Sequence, residues 1–124
     1  MELRFYQCKK CGQIVAIVKR TGAPLVCCGE VMEEIKAGTV EASKEKHIPV
    51  YTVEGQKVTV KVGSVDHPML PAHYIEWIAL QTDKGNQRKT LAPEAAPEAV
   101  FMISEGENVQ AVYAYCNLHG LWKA

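Results

Sequence analysis

Charge of neither sign is in excess: Lys and Arg together number 14, Asp and Glu 14, and the formal net charge is zero. A dedicated binder of nucleic acid or of an anionic membrane surface carries a basic excess, so neither partner is expected. No apolar run approaches the ~18–20 residues that a membrane-spanning helix needs. Residues 1–6, MELRFY, hold neither an apolar stretch nor a small-residue cleavage site, so no secretory leader is read and the cytoplasm is the expected compartment. The sequence also lacks any long 3.6-residue periodicity, which argues against a helical architecture, and it has no internal repeat. Histidine is missing from the first 46 residues.

What remains is a chain of 124 residues, 48% hydrophobic and 23% charged, a globular balance. The length suits one ordinary domain, or a small module joined to a compact one. Four of the five cysteines fall early, at Cys8, Cys11, Cys27 and Cys28, while Cys116 lies near the end. All four histidines, His47, His67, His73 and His119, come later. In a reducing compartment such cysteines are metal ligands or redox groups rather than disulfides. Two ligand groups on two modules is the simplest organisation, with 1–37 as a metal-binding module and 38–124 as a second domain.

The first module contains only short apolar bursts. Residues 13–18, QIVAIV, read as a strand, and Thr21-Gly22-Ala23-Pro24 as a turn. So short a segment cannot bury enough apolar surface to hold itself, so a metal staple is expected. The remainder reads as β. Val50–Val53, the Glu54-Gly55 turn and Lys57–Val62 form a hairpin signal, with Val58, Val60 and Val62 on one face. Further strands are predicted over Tyr74–Leu80, Gln87–Leu91, Ala99–Ile103 and Val109–Tyr115, with a proline-containing loop over 92–99. Short strands at this spacing predict a β-sandwich.

Cys8-Lys9-Lys10-Cys11-Gly12 is a C-x2-C knuckle, whose two thiolates can reach one metal while the glycine permits a tight turn. Fifteen residues further on stands the adjacent pair Cys27-Cys28. This is a tetrathiolate pattern, and spacing alone leaves zinc and iron equally open. The purely structural alternative is a zinc staple with no redox role. A redox dithiol is disfavoured because no βαβ pattern surrounds it.

His47, His67, His73, Cys116 and His119 lie beside predicted strand ends, and loops at one end of a sandwich can converge. Any one of these histidines, taken alone, is better read as a surface or core residue; all four with a Cys-x2-His ending point to a metal site. Five donors are one too many for ordinary zinc. A blue-copper site uses two His, one Cys and an axial Met, but no Met follows His119 here. Iron with five protein ligands and one open position fits better, and a thiolate pushes electron density toward a small bound molecule.

The stretches CKKCGQIV (8–15), LVCCGEVM (25–32), EKHIPV (45–50), KVGSVDHPM (61–69), HYIEWIAL (73–80), APEAVF (96–101) and CNLHGLWK (116–123) resemble desulfoferrodoxin, the two-iron form of superoxide reductase, over essentially the whole chain. The resemblance implies a mainly β protein: a small desulforedoxin-like module, then an immunoglobulin-like seven-stranded β-sandwich. It implies two irons per chain, one held by Cys8, Cys11, Cys27 and Cys28. The other would be held by four equatorial imidazoles, His47, His67, His73 and His119, with Cys116 as axial thiolate. Glu45 and Lys46 match the acidic and basic pair on the loop over the open position. The implied activity is one-electron reduction of superoxide to hydrogen peroxide, with a rubredoxin-like donor and a homodimeric assembly. The alternative is a thiolate-ligated-iron electron carrier of the rubredoxin kind, without a substrate of its own. One departure stands out: Pro68-Met69-Leu70-Pro71-Ala72 carries no charge where relatives often do.

Overall fold

The computed structural model describes residues 2–124. They divide into two compact units, with the break between Lys36 and Ala37. Among the described residues, no helix is long and apolar enough to cross a membrane.

The first unit is built from five very short strands: β1 (Phe5–Gln7), β2 (Ile14–Ala16), β3 (Val26–Cys27), β4 (Glu30–Val31) and β5 (Glu33–Ile35). β1 is the centre of a three-stranded antiparallel sheet in the order β2-β1-β5, and β3 and β4 form a separate hairpin. The strand expected over 13–18 is cut to three residues because β1, its partner, has only three to offer. Phe5, Cys8 and Met32 are buried, whereas Val18, Val26 and Val31 are exposed. Apolar burial on this scale cannot offset the chain entropy of ordering some 36 residues. The module therefore depends on something other than a core.

The second unit is different in kind. A four-residue helix, α1 (Lys44–His47), leads into β6 (Pro49–Glu54), β7 (Lys57–Val62), β8 (Ile75–Thr82), β9 (Asn86–Thr90), β10 (Glu98–Met102), β11 (Val109–Cys116) and β12 (Gly120–Lys123). These seven strands make two antiparallel sheets, β10-β7-β6 and β12-β11-β8-β9, an immunoglobulin-like sandwich. The alternation in β7 fixes the register. Val58, Val60 and Val62 are fully buried, and Phe101 and Ala99 of β10 stand opposite Val58 and Val60. From the other sheet Ile78, Leu80, Val112 and Ala114 complete the core.

Two elements go beyond the sequence expectation. β8 runs on to Thr82, because Gln81 and Thr82 still find partners in β9 and β11. β12 exists because the chain reverses over 117–119 and pairs Gly120 with Cys116. Strand direction then matters for the site. The start of β6, the end of β7, the start of β8, the end of β11 and the start of β12 all fall at one end of the sandwich.

Phe101 is the largest fully buried side chain in this core. Phe101→Ala should destabilise the second unit by about 3–5 kcal/mol. Both tryptophans, Trp77 and Trp122, belong to that unit, so denaturant titration followed by tryptophan fluorescence reads it selectively. A loss below about 1 kcal/mol would contradict the assigned core.

Candidate metal centres

At the ligand-bearing end of the sandwich five side chains converge. The donor atoms of His47, His67, His73, Cys116 and His119 all lie within 4.8 Å of one another. Their origins are dispersed. His47 ends α1, His67 and His73 lie within the loop between β7 and β8, Cys116 ends β11, and His119 sits in the turn before β12.

The imidazoles form a square. Neighbouring ring centroids are 4.5 Å (His47–His67), 4.7 Å (His67–His73), 5.0 Å (His73–His119) and 4.9 Å (His119–His47), each pair edge to face at 76–87°. The diagonal pair His47–His73 is 6.5 Å apart and nearly parallel. Nδ1 of His47 is 2.7 Å from the Ser43 carbonyl oxygen, and Nδ1 of His67 is 2.6 Å from that of Pro68. A carbonyl only accepts, so both Nδ1 atoms carry the proton and both Nε2 atoms hold a bare lone pair. Those two Nε2 atoms are 3.1 Å apart. Nδ1 of His119 lies 3.1 Å from His47 Nε2 and 3.8 Å from Cys116 Sγ. Nε2 of His73 is buried with no hydrogen-bond partner. Lone pairs aimed at one another repel unless a cation lies among them, so this donor set fits a metal ion. Three imidazoles would offer Nε2 and His119 would offer Nδ1.

Electrostatics follow from burial. Desolvation lowers the pKa of His47 and His73 and pulls His67 down to about 4, so the neutral, ligating form is favoured. Burial raises the Cys116 thiol, which a metal must then deprotonate. Glu45 is exposed on α1 and Lys46 is half-buried beside His47, whose pKa its charge depresses slightly.

The first unit gathers the other group. Cys8, Cys11, Cys27 and Cys28 also bring their sulfurs within 4.8 Å of one another. Cys11 Sγ is 3.6 Å from Cys27 Sγ, which is 3.9 Å from Cys28 Sγ. Metal–sulfur bonds of about 2.3 Å in a tetrahedron demand edges of about 3.8 Å. All five cysteines are free thiols. Gly12 adopts a φ of 82° and donates its N–H to the Cys8 carbonyl at 2.9 Å, closing the knuckle. Adjacent ligands need a sharper device: Cys28 itself takes a left-handed φ of 52°. A backbone N–H from Cys11 pulls the Cys8 thiol down to about 7, while neighbouring sulfurs, Cys11 foremost, push Cys27 up to about 12 and Cys28 upward. The Cys8 thiolate forms readily, and Cys27 and Cys28 need a cation to join it.

Sequence reading missed the residues that hold these ligands. The Asn117 side chain accepts from Tyr74 N–H at 2.9 Å and donates to the Ala72 carbonyl at 3.0 Å, gripping both flanks of His73. Trp122 donates to the His119 carbonyl at 3.0 Å and packs its ring 5.0 Å from that of His47. Asn117 lies between two ligands in CNLHG, the one signal that could have singled it out.

Comparison with known proteins covers both units. The family model described as desulfoferrodoxin matches residues 39–124, and that of the desulfoferrodoxin N-terminal domain matches residues 1–35. The chain is 49% identical over 125 residues to desulfoferrodoxin of Nitratidesulfovibrio vulgaris, covering 99% of this chain and 96% of that protein. It is 52% identical over 27 residues to desulforedoxin of Megalodesulfovibrio gigas, covering 22% of this chain and 73% of that one. The crystal structure of the superoxide reductase from Treponema pallidum superposes with a TM-score of 0.85 at 44% identity, covering 100% of this chain and 99% of that chain.

The buried histidines make the metal-free second unit acid-sensitive. The folded state excludes a proton that an unfolded His67 accepts below its ordinary value of 6.5, so protons favour unfolding. This stability is complete above pH 6.5 and is lost as pH falls toward about 4, on the order of 3 kcal/mol for His67 alone. The denaturation midpoint of metal-free protein, followed by tryptophan fluorescence, should fall steadily over that window. His67→Phe should flatten the upper part of the fall; an unchanged slope in that variant would contradict the assignment.

Proposed function

The chain belongs to the desulfoferrodoxin family, and on that premise we propose that it is a superoxide reductase. The observation that carries the proposal is the square of four imidazoles with Cys116 as fifth donor, in a chain that superposes along its length on a superoxide reductase. The net reaction is one superoxide, one electron and two protons giving one hydrogen peroxide, with no dioxygen released.

Iron bound by His47, His67, His73, His119 and Cys116 would supply the single electron. Four neutral imidazoles and one thiolate contribute one negative charge, so they leave a divalent ion net positive toward an anionic substrate. The Ser43 and Pro68 carbonyls hold His47 and His67 in the tautomer that presents Nε2 inward. The Cys116 sulfur is the soft, electron-rich member of the set. Lys46 draws superoxide toward the histidines, and Glu45, a hard carboxylate, guards the oxidised site. Cys8, Cys11, Cys27 and Cys28 hold a second iron in the first unit, taken as residues 1–37. Residues 38–124 form the catalytic domain.

The family supports further assignments: a rubredoxin-like carrier as electron donor, a homodimer, a role in detoxifying superoxide, and residence in the cytoplasm. Exposed Cys11 and Cys28 give the first unit an edge at which an electron could be exchanged.

Cys116→Ser should abolish the sulfur-to-iron absorption band of the second unit and leave the chromophore of the first unit intact. Retention of that band would break the ligand assignment. Lys46→Ile tests steering. The chain has no net charge to attract an anion, and screening at 0.15 M salt acts over about 8 Å, so only a nearby cation contributes much. The bimolecular rate with pulse-generated superoxide should drop about tenfold and its salt dependence should flatten. An unchanged rate and salt slope would assign steering to another residue.

A further inference from the structure

Gly63 is buried and follows directly on β7. A methyl group on its Cα would stand 2.6 Å from the Glu45 carbonyl oxygen, 2.8 Å from that of Ile48 and 3.1 Å from the Lys46 carbonyl carbon. All three are main-chain atoms of the turn that carries Glu45, Lys46 and His47. No side-chain rotation can relieve such a contact; the turn itself must move. Gly63 is not among the positive-φ glycines; the close approach of the turn is what leaves no room for a Cβ here.

The next two residues grip the same turn. Val65 N–H donates to the Glu45 carbonyl at 3.0 Å, and the Ser64 hydroxyl donates to the same oxygen at 3.2 Å. The gripping segment is itself fixed to the sandwich. Val62 N–H donates to the Pro97 carbonyl at 2.8 Å and His67 N–H to the Val62 carbonyl at 2.8 Å. Four of the five site donors, on His67, His73, Cys116 and His119, come from other segments. A shift of the turn therefore moves Glu45 and Lys46 relative to most of the ligand square.

We propose that Gly63, Ser64 and Val65 are positioning residues that set where Glu45 and Lys46 stand over the histidine site. The proposal deepens, and rests on, the reading in which these two side chains act on superoxide. Gly63 lets the turn approach the end of β7, and Ser64 and Val65 hold it there through one carbonyl. Lys46 steers an anion only if its ammonium is held close to the histidines, so its effectiveness depends on this grip.

Residue-level hydrogen exchange on the metal-free full chain reads the grip without reference to superoxide. In Gly63→Ala the amides of Val65 and of Ile48, which donates to the Lys44 carbonyl at 2.9 Å, should exchange about tenfold faster or more. Amides within β8 and β11 should keep their parent rates. Ser64→Ala adds no clash and deletes one donor, so Val65 should exchange about two- to tenfold faster. In the iron-loaded protein both variants should flatten the salt dependence of the superoxide reaction, Gly63→Ala more strongly. Unchanged protection of Val65 and Ile48 would overturn the proposal; if Gly63→Ala does not fold, Val65 in Ser64→Ala decides. Faster exchange with an unaltered salt slope would overturn the link to substrate steering. A parent protein inert to superoxide would instead overturn the functional reading itself.

Discussion

Two unprotonated imidazole nitrogens, His47 Nε2 and His67 Nε2, face each other across 3.1 Å. The rest of the catalytic end is arranged to make that contact possible. Each ring is locked by a main-chain carbonyl on its far nitrogen, and both rings are almost completely buried, at 3% and 2% exposure. Without a cation this is unfavourable: desolvated acceptors approach with no proton between them. The free energy that permits it comes from the sandwich beneath, whose valine, isoleucine and phenylalanine core runs up to the buried ligand Cys116. Pre-formed in this way, the donors lose little freedom when an ion enters, the condition under which binding is strong and geometry is imposed by the protein.

The two donor clusters stand in opposite relations to the units that carry them. The first has few buried apolar residues and strands of two or three residues, so four thiolates brought to tetrahedral spacing are what specify its shape. The second folds around its own core and places its donors at one end, where α1, the loop between β7 and β8 and the β11–β12 hairpin turn meet. A site assembled from three sequence-distant segments needs cross-ties. Asn117, Trp122 and the Gly63–Val65 segment supply them, each linking a ligand-bearing stretch to another part of the sandwich.

Much of this was legible in the residues. The alternation of Val58, Val60 and Val62 gave the inner face of β7 directly, because side-chain direction in a strand has period two. The cysteine spacing identified the first cluster, and the histidines beside strand ends identified the second. What escaped has physical causes. Strands of two or three residues carry no measurable periodicity, so β1, β3, β4 and β5 were invisible. Helix α1 is a single turn with no side-chain cap at Ser43. Gly63 reads locally as an ordinary strand terminus, since a close approach to residues 45–48 is a tertiary fact. The same holds for Asn117, whose partners lie 43 and 45 residues away.

The central claim is that the histidine–cysteine site reduces superoxide and does not dismutate it. The direct measurement is product stoichiometry: the pre-reduced, iron-loaded chain is exposed to a known pulse of superoxide, and hydrogen peroxide and dioxygen are both quantified. A reductase gives one peroxide for each superoxide consumed and no dioxygen. One dioxygen and one peroxide for every two superoxide ions would contradict the account.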